Sequence, residues 1–162
     1  MTDTTVIEPN QAARDRHNHR AGAIVVGFGR CASSASAVAS AAQLGKQLKA
    51  EIVVVHALDL ADYPVDPDGW GWEKQHEQKI ATHREVVATL LANYEHGWSY
   101  DLVRGEPVEA LISTAEEVQA VMIVVGSHRE GRIRRLLAEA VADRLIRATG
   151  RPVLVVRGPT PS

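Results

Sequence analysis

The segment from Val121 to Arg157 restricts the fold more than any other part of the sequence. Val121 to Val125 is a continuous β-branched run stopped by Gly126, the pattern of a strand buried on both faces. Val153 to Val156 is a second such run. Between them Ile133, Leu136, Leu137, Ala140, Val141, Leu145 and Ala148 recur at the three-and-four spacing of one helix face. The segment therefore reads strand, loop, helix, strand: a βαβ crossover. Its loop, Gly126 to Arg132, lies where a strand's carboxyl end meets a helix amino end, the usual ligand position in an open α/β sheet.

The preceding chain supplies more of the same units. Met1 to Ala21 is polar, has no periodic apolar face and is expected to be a disordered tail; His17 and His19 within it lack a third ligand nearby and make a poor metal site. Residues 22–158 are expected to form one domain. Ala23 to Val26 begins it as a strand, and Ser33 or Ser34 is placed to cap a helix whose inner face is Val38, Ala41, Ala42, Gly45 and Leu48. Glu51 to Ala57 is a second strand. The Pro- and Gly-punctuated stretch from Leu58 to Trp72 carries Tyr63, Trp70 and Trp72, and fits either a lid or a loop whose tryptophans cover a core edge. A helix from Glu73 to Tyr94 turns Ile80, Val87, Leu91 and Tyr94 inward. His76 and His83 on it are expected at the surface. Trp98 to Val103 is a third strand, and Pro107 suits the first position of a helix with Val108, Leu111, Ile112, Ala115 and Val118 as its buried stripe. The alternation predicts an α/β fold with a parallel open sheet covered by helices on both faces.

Whole-chain figures exclude several classes. With 162 residues, 45% of them hydrophobic, the chain has material for one core rather than two. A net charge of −2 gives no general attraction to nucleic acid or to anionic membrane, so neither is expected as a partner. Cys31 is the single cysteine and has no internal disulfide partner, and no apolar run reaches membrane-spanning length. The first twenty residues lack the apolar core of a signal peptide, so a cytoplasmic location is expected.

Several blocks, in order and spacing, resemble the universal stress protein family: Val103 to Ile112, Val121 to Ser127, Arg135-Leu136-Leu137, and Arg151 to Val156. The resemblance covers about Ala23 to Gly158. It implies a five-stranded parallel sheet in the order 3-2-1-4-5, Rossmann-like, with a crevice between strands 1 and 4. It also implies a stress-response role, and ATP with Mg as the ligand of motif-complete members. Those members carry Gly-x2-Gly-x9-Gly-Ser/Thr after strand 4. Here Gly126 fills the first position, but Arg129, Glu139 and Ala140 stand at the others. Glycines there let backbone N–H groups approach phosphate, and the hydroxyl adds a donor. The aspartate that nucleotide binders of the family carry at the end of strand 1 is replaced by Phe28. Ordinary ATP binding is therefore not expected, no cofactor is required, and a nucleotide switch with slow ATPase activity is the alternative.

The crevice keeps a basic character nonetheless. Gly29, Arg30, Gly126, Ser127, His128, Arg129, Gly131 and Arg132 are the candidates for binding a small anion or a nucleotide, because donors and cations near a helix amino end favour an anion. The competing reading has these arginines solvated and balanced by Glu130, Glu139 and Asp143. Gly27-Phe28-Gly29-Arg30-Cys31-Ala32 also has the G-x-G-x-x-A form of a dinucleotide fingerprint, but His56-Ala57 stands where that fold wants an acid. A dinucleotide-dependent enzyme is the least favoured reading, and no nucleophile–base–orienter set supports a catalytic site. If the final strand is an edge, its apolar residues need a cover. The resemblance implies a homodimer through that strand, so Val153, Leu154 and Val155 are the expected interface, beside an unidentified protein partner.

Overall fold

The structure is a computed structural model that describes residues 22–29, 32–58, 72–127 and 141–158, with backbone alone over 72–76. In chain order the elements are β1 (Ala23–Gly27), α1 (Ala32–Leu48), β2 (Glu51–Leu58), α2 (Trp72–Leu90), β3 (Trp98–Arg104), α3 (Pro107–Glu117), β4 (Ala120–Ser127), α4 (141–148) and β5 (Val153–Arg157). The strands form one sheet in the order β3-β2-β1-β4-β5, and every neighbouring pair is parallel. This is the order that the family resemblance implied.

The continuous apolar runs occupy the middle of the sheet because only there are both faces covered. Ile24, Val26, Ile52, Val54 and Val124 face α1 and α2, where Val38, Ala41, Val87 and Leu91 meet them. Val25, Val53, Val55, Ile123 and Val125 face the other layer, with Leu111 and Ala115 of α3 and Leu145 of α4. The edge strand β5 is only partly covered, with Leu154 at 36% and Val155 at 37% exposure.

Local chemistry explains the element ends, and corrects some expectations. Helix α1 begins at Ala32, so Ser33 and Ser34 lie inside its first turn rather than at its cap. The Ser34 hydroxyl accepts from the Gly29 N–H at 3.0 Å, tying the preceding loop down. At the other end Lys49 has φ 54°, and Ala50 N–H returns to the Gly45 carbonyl at 3.0 Å. That reversal is a Schellman-type stop with lysine in the left-handed position. It turns Leu48 outward to 45% exposure, and Ala37 joins the buried face. Helix α2 stops at Leu90, before Tyr94, whose hydroxyl donates to the carbonyl of Ala50. In α3, Pro107 does take the first position, and Glu106 caps it by accepting from Glu109 N–H at 3.2 Å. The other Glu106 oxygen receives Arg144 of α4 at 2.8 Å. Ala148 is exposed at the end of α4, while Leu145 carries that helix's burial. The residues from Ile133 to Ala140, the tail, and the stretch 59–71 lie outside the described residues.

Candidate functional site

The sheet order reverses between β1 and β4: β2 lies beyond one and β5 beyond the other. The carboxyl ends of β1 and β4 flank that reversal, which is the position expected of a ligand crevice in an open α/β sheet. Three expected site residues are described there. Gly29 is held by Ser34, as above. Gly126 lies against Ser33: a Cβ at position 126 would come within 2.6 Å of the Ser33 carbonyl oxygen and 2.7 Å of its hydroxyl. The structure thus brings Gly29 and Gly126 to the same place, the first turn of α1. Ser127 is half-buried and pairs with Arg157 across β4 and β5. Arg30, His128, Arg129, Gly131 and Arg132 lie outside the described residues, as do Cys31 and Glu139.

The geometry gives Gly126 a role that the motif did not predict. Its missing side chain lets a helix start cross a strand end at close range, independently of any phosphate. Ser33 is 2% exposed, and its hydroxyl finds no hydrogen-bond partner within the described protein. Gly27 is similarly confined, since a Cβ there would meet Val125 and Leu111 at 3.2 and 3.3 Å.

Phe28, at the strand 1 position where an aspartate was sought, belongs to a ring cluster. It meets His83 of α2 edge-on, with centroids 5.5 Å apart. His83 in turn faces His56 of β2 at 5.2 Å. His56 Nδ1 and the Tyr100 hydroxyl share a 2.6 Å hydrogen bond. Burial pushes the Tyr100 phenol up to about 12, against the opposing pull of the Arg84 guanidinium, which lies 5.8 Å from the ring centroid. The phenol is therefore protonated at neutral pH. A cavity of about 340 Å³ beside the cluster is lined by Gln78, Lys79, Thr82 and His83.

His83 is accordingly not a surface residue, contrary to expectation, and its ring lies against His56. It falls at the three-and-four spacing of Ile80, Val87 and Leu91, which was the available sign of its inward position. The His56 contact had no comparable sign beyond the strand alternation of Ile52, Val54 and His56, because it joins residues distant in sequence. The side chain of His76 lies outside the described residues. Among the described residues no group of three or more His, Cys, Asp or Glu side chains is arranged to hold a metal ion. Nor is any described helix long and apolar enough to cross a membrane.

An open parallel sheet with a crevice at its point of reversal defines a class of nucleotide-type α/β proteins, and comparison with known proteins narrows it. The model of the universal stress protein family matches residues 21–157. The chain belongs to that family. It is 28% identical to the stress response protein NhaX of Bacillus subtilis over 160 residues, covering 83% of this chain and 96% of that protein. A universal stress protein of Methanocaldococcus jannaschii is 26% identical, with 78% and 76% of the two chains covered. Among solved structures, the hypothetical protein MJ0577 superposes with a TM-score of 0.72 at 17% identity, covering 88% of this chain and all of that one. A universal stress protein in complex with cAMP superposes with a TM-score of 0.58 at 25% identity, covering 83% and 95%.

Proposed function

We propose that this protein is a cytoplasmic, non-enzymatic regulator or protector in the stress response, acting as a homodimer with a crevice that takes a small anion rather than ATP. The observation carrying the crevice reading is the Ser33–Gly126 contact together with Phe28. The one glycine retained from the nucleotide motif already serves helix packing, and the place of the acid is filled by a buried ring. The basic residues Arg30, Arg129 and Arg132 supply the attraction for an anion.

The dimer reading rests on β5. Leu154 and Val155 are exposed on an edge strand, and Ile146 on the helix leading into it is 57% exposed. A two-fold pairing of β5 with its copy covers the same edge in both subunits and leaves none open. Arg151 donates to the carbonyl of Ala120 at the amino end of β4, which anchors the chain just before the strand.

A second reading, an adenine-nucleotide switch, is favoured by the cAMP complex of a relative at 25% identity. A native mass spectrum of the protein as purified separates the two. A dimer mass without adenine nucleotide is expected. A co-purifying nucleotide would establish the switch instead, and a monomer mass would remove the dimer.

A further inference from the structure

Ser33 is fixed by packing and left without a polar partner. It lies in the first turn of α1 against two glycines at the strand ends. Its backbone and hydroxyl fill the space of the Cβ that Gly126 lacks, and its own Cβ is 3.2 Å from where a Cβ would stand on Gly158. The residue is 2% exposed, and its Oγ makes no hydrogen bond among the described residues. Alanine would fit the same slot, is the better helix former and would bury no unsatisfied hydroxyl. The hydroxyl is therefore a cost to the fold, in a helix that elsewhere buries Ala37 and Ala41.

The same end of α1 is prepared for an anion in other ways. No acidic residue stands in the first turn of this 17-residue helix, so the positive end of its dipole has no carboxylate of that turn beside it. First-turn N–H groups have no partner within a helix, and the Ser34 hydroxyl is turned back to accept from the Gly29 N–H rather than to serve them. We propose that the amino end of α1 is the seat of the crevice anion, a tetrahedral oxyanion such as phosphate or a phosphoryl group. Ser33 donates its hydroxyl proton to one oxygen, and the first-turn N–H groups donate to the others. The two glycines hold the Ser33 backbone in place, so rotation about its Cα–Cβ bond carries the hydroxyl from the strand ends to the helix end. The seat rests on the small-anion reading given above and assigns that anion its donors.

The full-length protein and Ser33→Ala are compared by urea unfolding and by titration calorimetry with inorganic phosphate and, separately, with adenosine monophosphate, all at one ionic strength. Without ligand, Ser33→Ala is expected to be at least as stable as the wild type. The wild type is expected to bind phosphate about tenfold or more tightly than Ser33→Ala, the size of one hydrogen bond to a charged group. Undiminished phosphate affinity in Ser33→Ala overturns the seat and leaves the small-anion reading standing. A Ser33→Ala protein less stable than the wild type without ligand also overturns the seat, because it shows the hydroxyl already satisfied, as by a buried water. Ser33-dependent binding of adenosine monophosphate, with none of phosphate, upholds the seat and overturns the small-anion reading. No binding of either by the wild type overturns both.

Discussion

Replacing Gly45 by alanine opposes two effects of known size, and the structure decides between them. In an ordinary helix interior the change stabilises by about 1 kcal/mol, because glycine is the poorer helix former. At this position the new Cβ would enter the space of the Tyr94 hydroxyl and lie 3.0 Å from both Tyr94 Cζ and Ile52 Cδ1. Tyr94 cannot retreat freely, since its hydroxyl is bonded to the Ala50 carbonyl in a buried setting. Losing that bond costs about 1 kcal/mol, with more for the carbonyl left behind, and overpacking adds roughly 1–3 kcal/mol. The net expectation for Gly45→Ala is destabilisation by about 2–3 kcal/mol. Tyr94→Phe alone should cost about 1–2 kcal/mol. Because Tyr94→Phe also removes the clashing atom, the double variant should be more stable than additivity predicts by roughly 1–2 kcal/mol. Urea unfolding at one fixed protein concentration measures all four proteins, since the proposed dimer would make stability depend on concentration. A Gly45→Ala protein more stable than the parent, or additive behaviour in the double variant, would refute the packing account.

Other consequences are independent of that site. Gly126→Ala should destabilise by about 2–3 kcal/mol, because the obstacle is the backbone of Ser33, which cannot rotate away; unchanged urea stability would show that the glycine serves something other than packing. Glu106→Ala removes both a helix cap and the Arg144 ion pair and should cost about 1–2 kcal/mol, whereas Arg144→Ala, losing only a half-exposed pair, should cost less than about 1 kcal/mol; chemical denaturation that reverses this ranking would contradict the shared role of Glu106. Tyr100 should ionise near 12, seen as tyrosinate absorbance missing from Tyr100→Phe. Its phenol pKa is raised by folding, so its contribution to stability is complete below about pH 10, the unfolded value, and is lost as pH rises toward 12. Val155→Pro removes a backbone donor from β5 and should turn a dimer into monomer or aggregate in sedimentation.

What was legible in the sequence was what depends on local pattern. Ile24 to Val26, Ile52 to Val55 and Ile123 to Val125 read as strands because burial on both faces demands unbroken apolar runs. Pro107 marked the start of α3, because proline fits only a first turn there, while the Glu106 cap emerged only in the structure. The strand order was not written in the periodicity; it came from the family resemblance. Leu48 was misplaced because a left-handed Lys49 ends the helix one residue after it, and lysine carries no sign of that conformation. The serines of α1 were misread because a hydroxyl suited to a cap serves equally to catch the N–H of Gly29. The Gly126–Ser33 contact joins separate βα units, and the His56–His83 contact joins a strand to the helix beyond a long connection, so neither shows in local pattern.

The central claim is that the crevice has exchanged ordinary ATP binding for attraction of a small anion. Titration calorimetry of the purified protein with ATP and Mg, run beside inorganic phosphate, tests it most directly. The account predicts no saturable heat with ATP and Mg, and a weak phosphate signal lost in Arg129→Ala with Arg132→Ala. Saturable, magnesium-dependent ATP binding would contradict it.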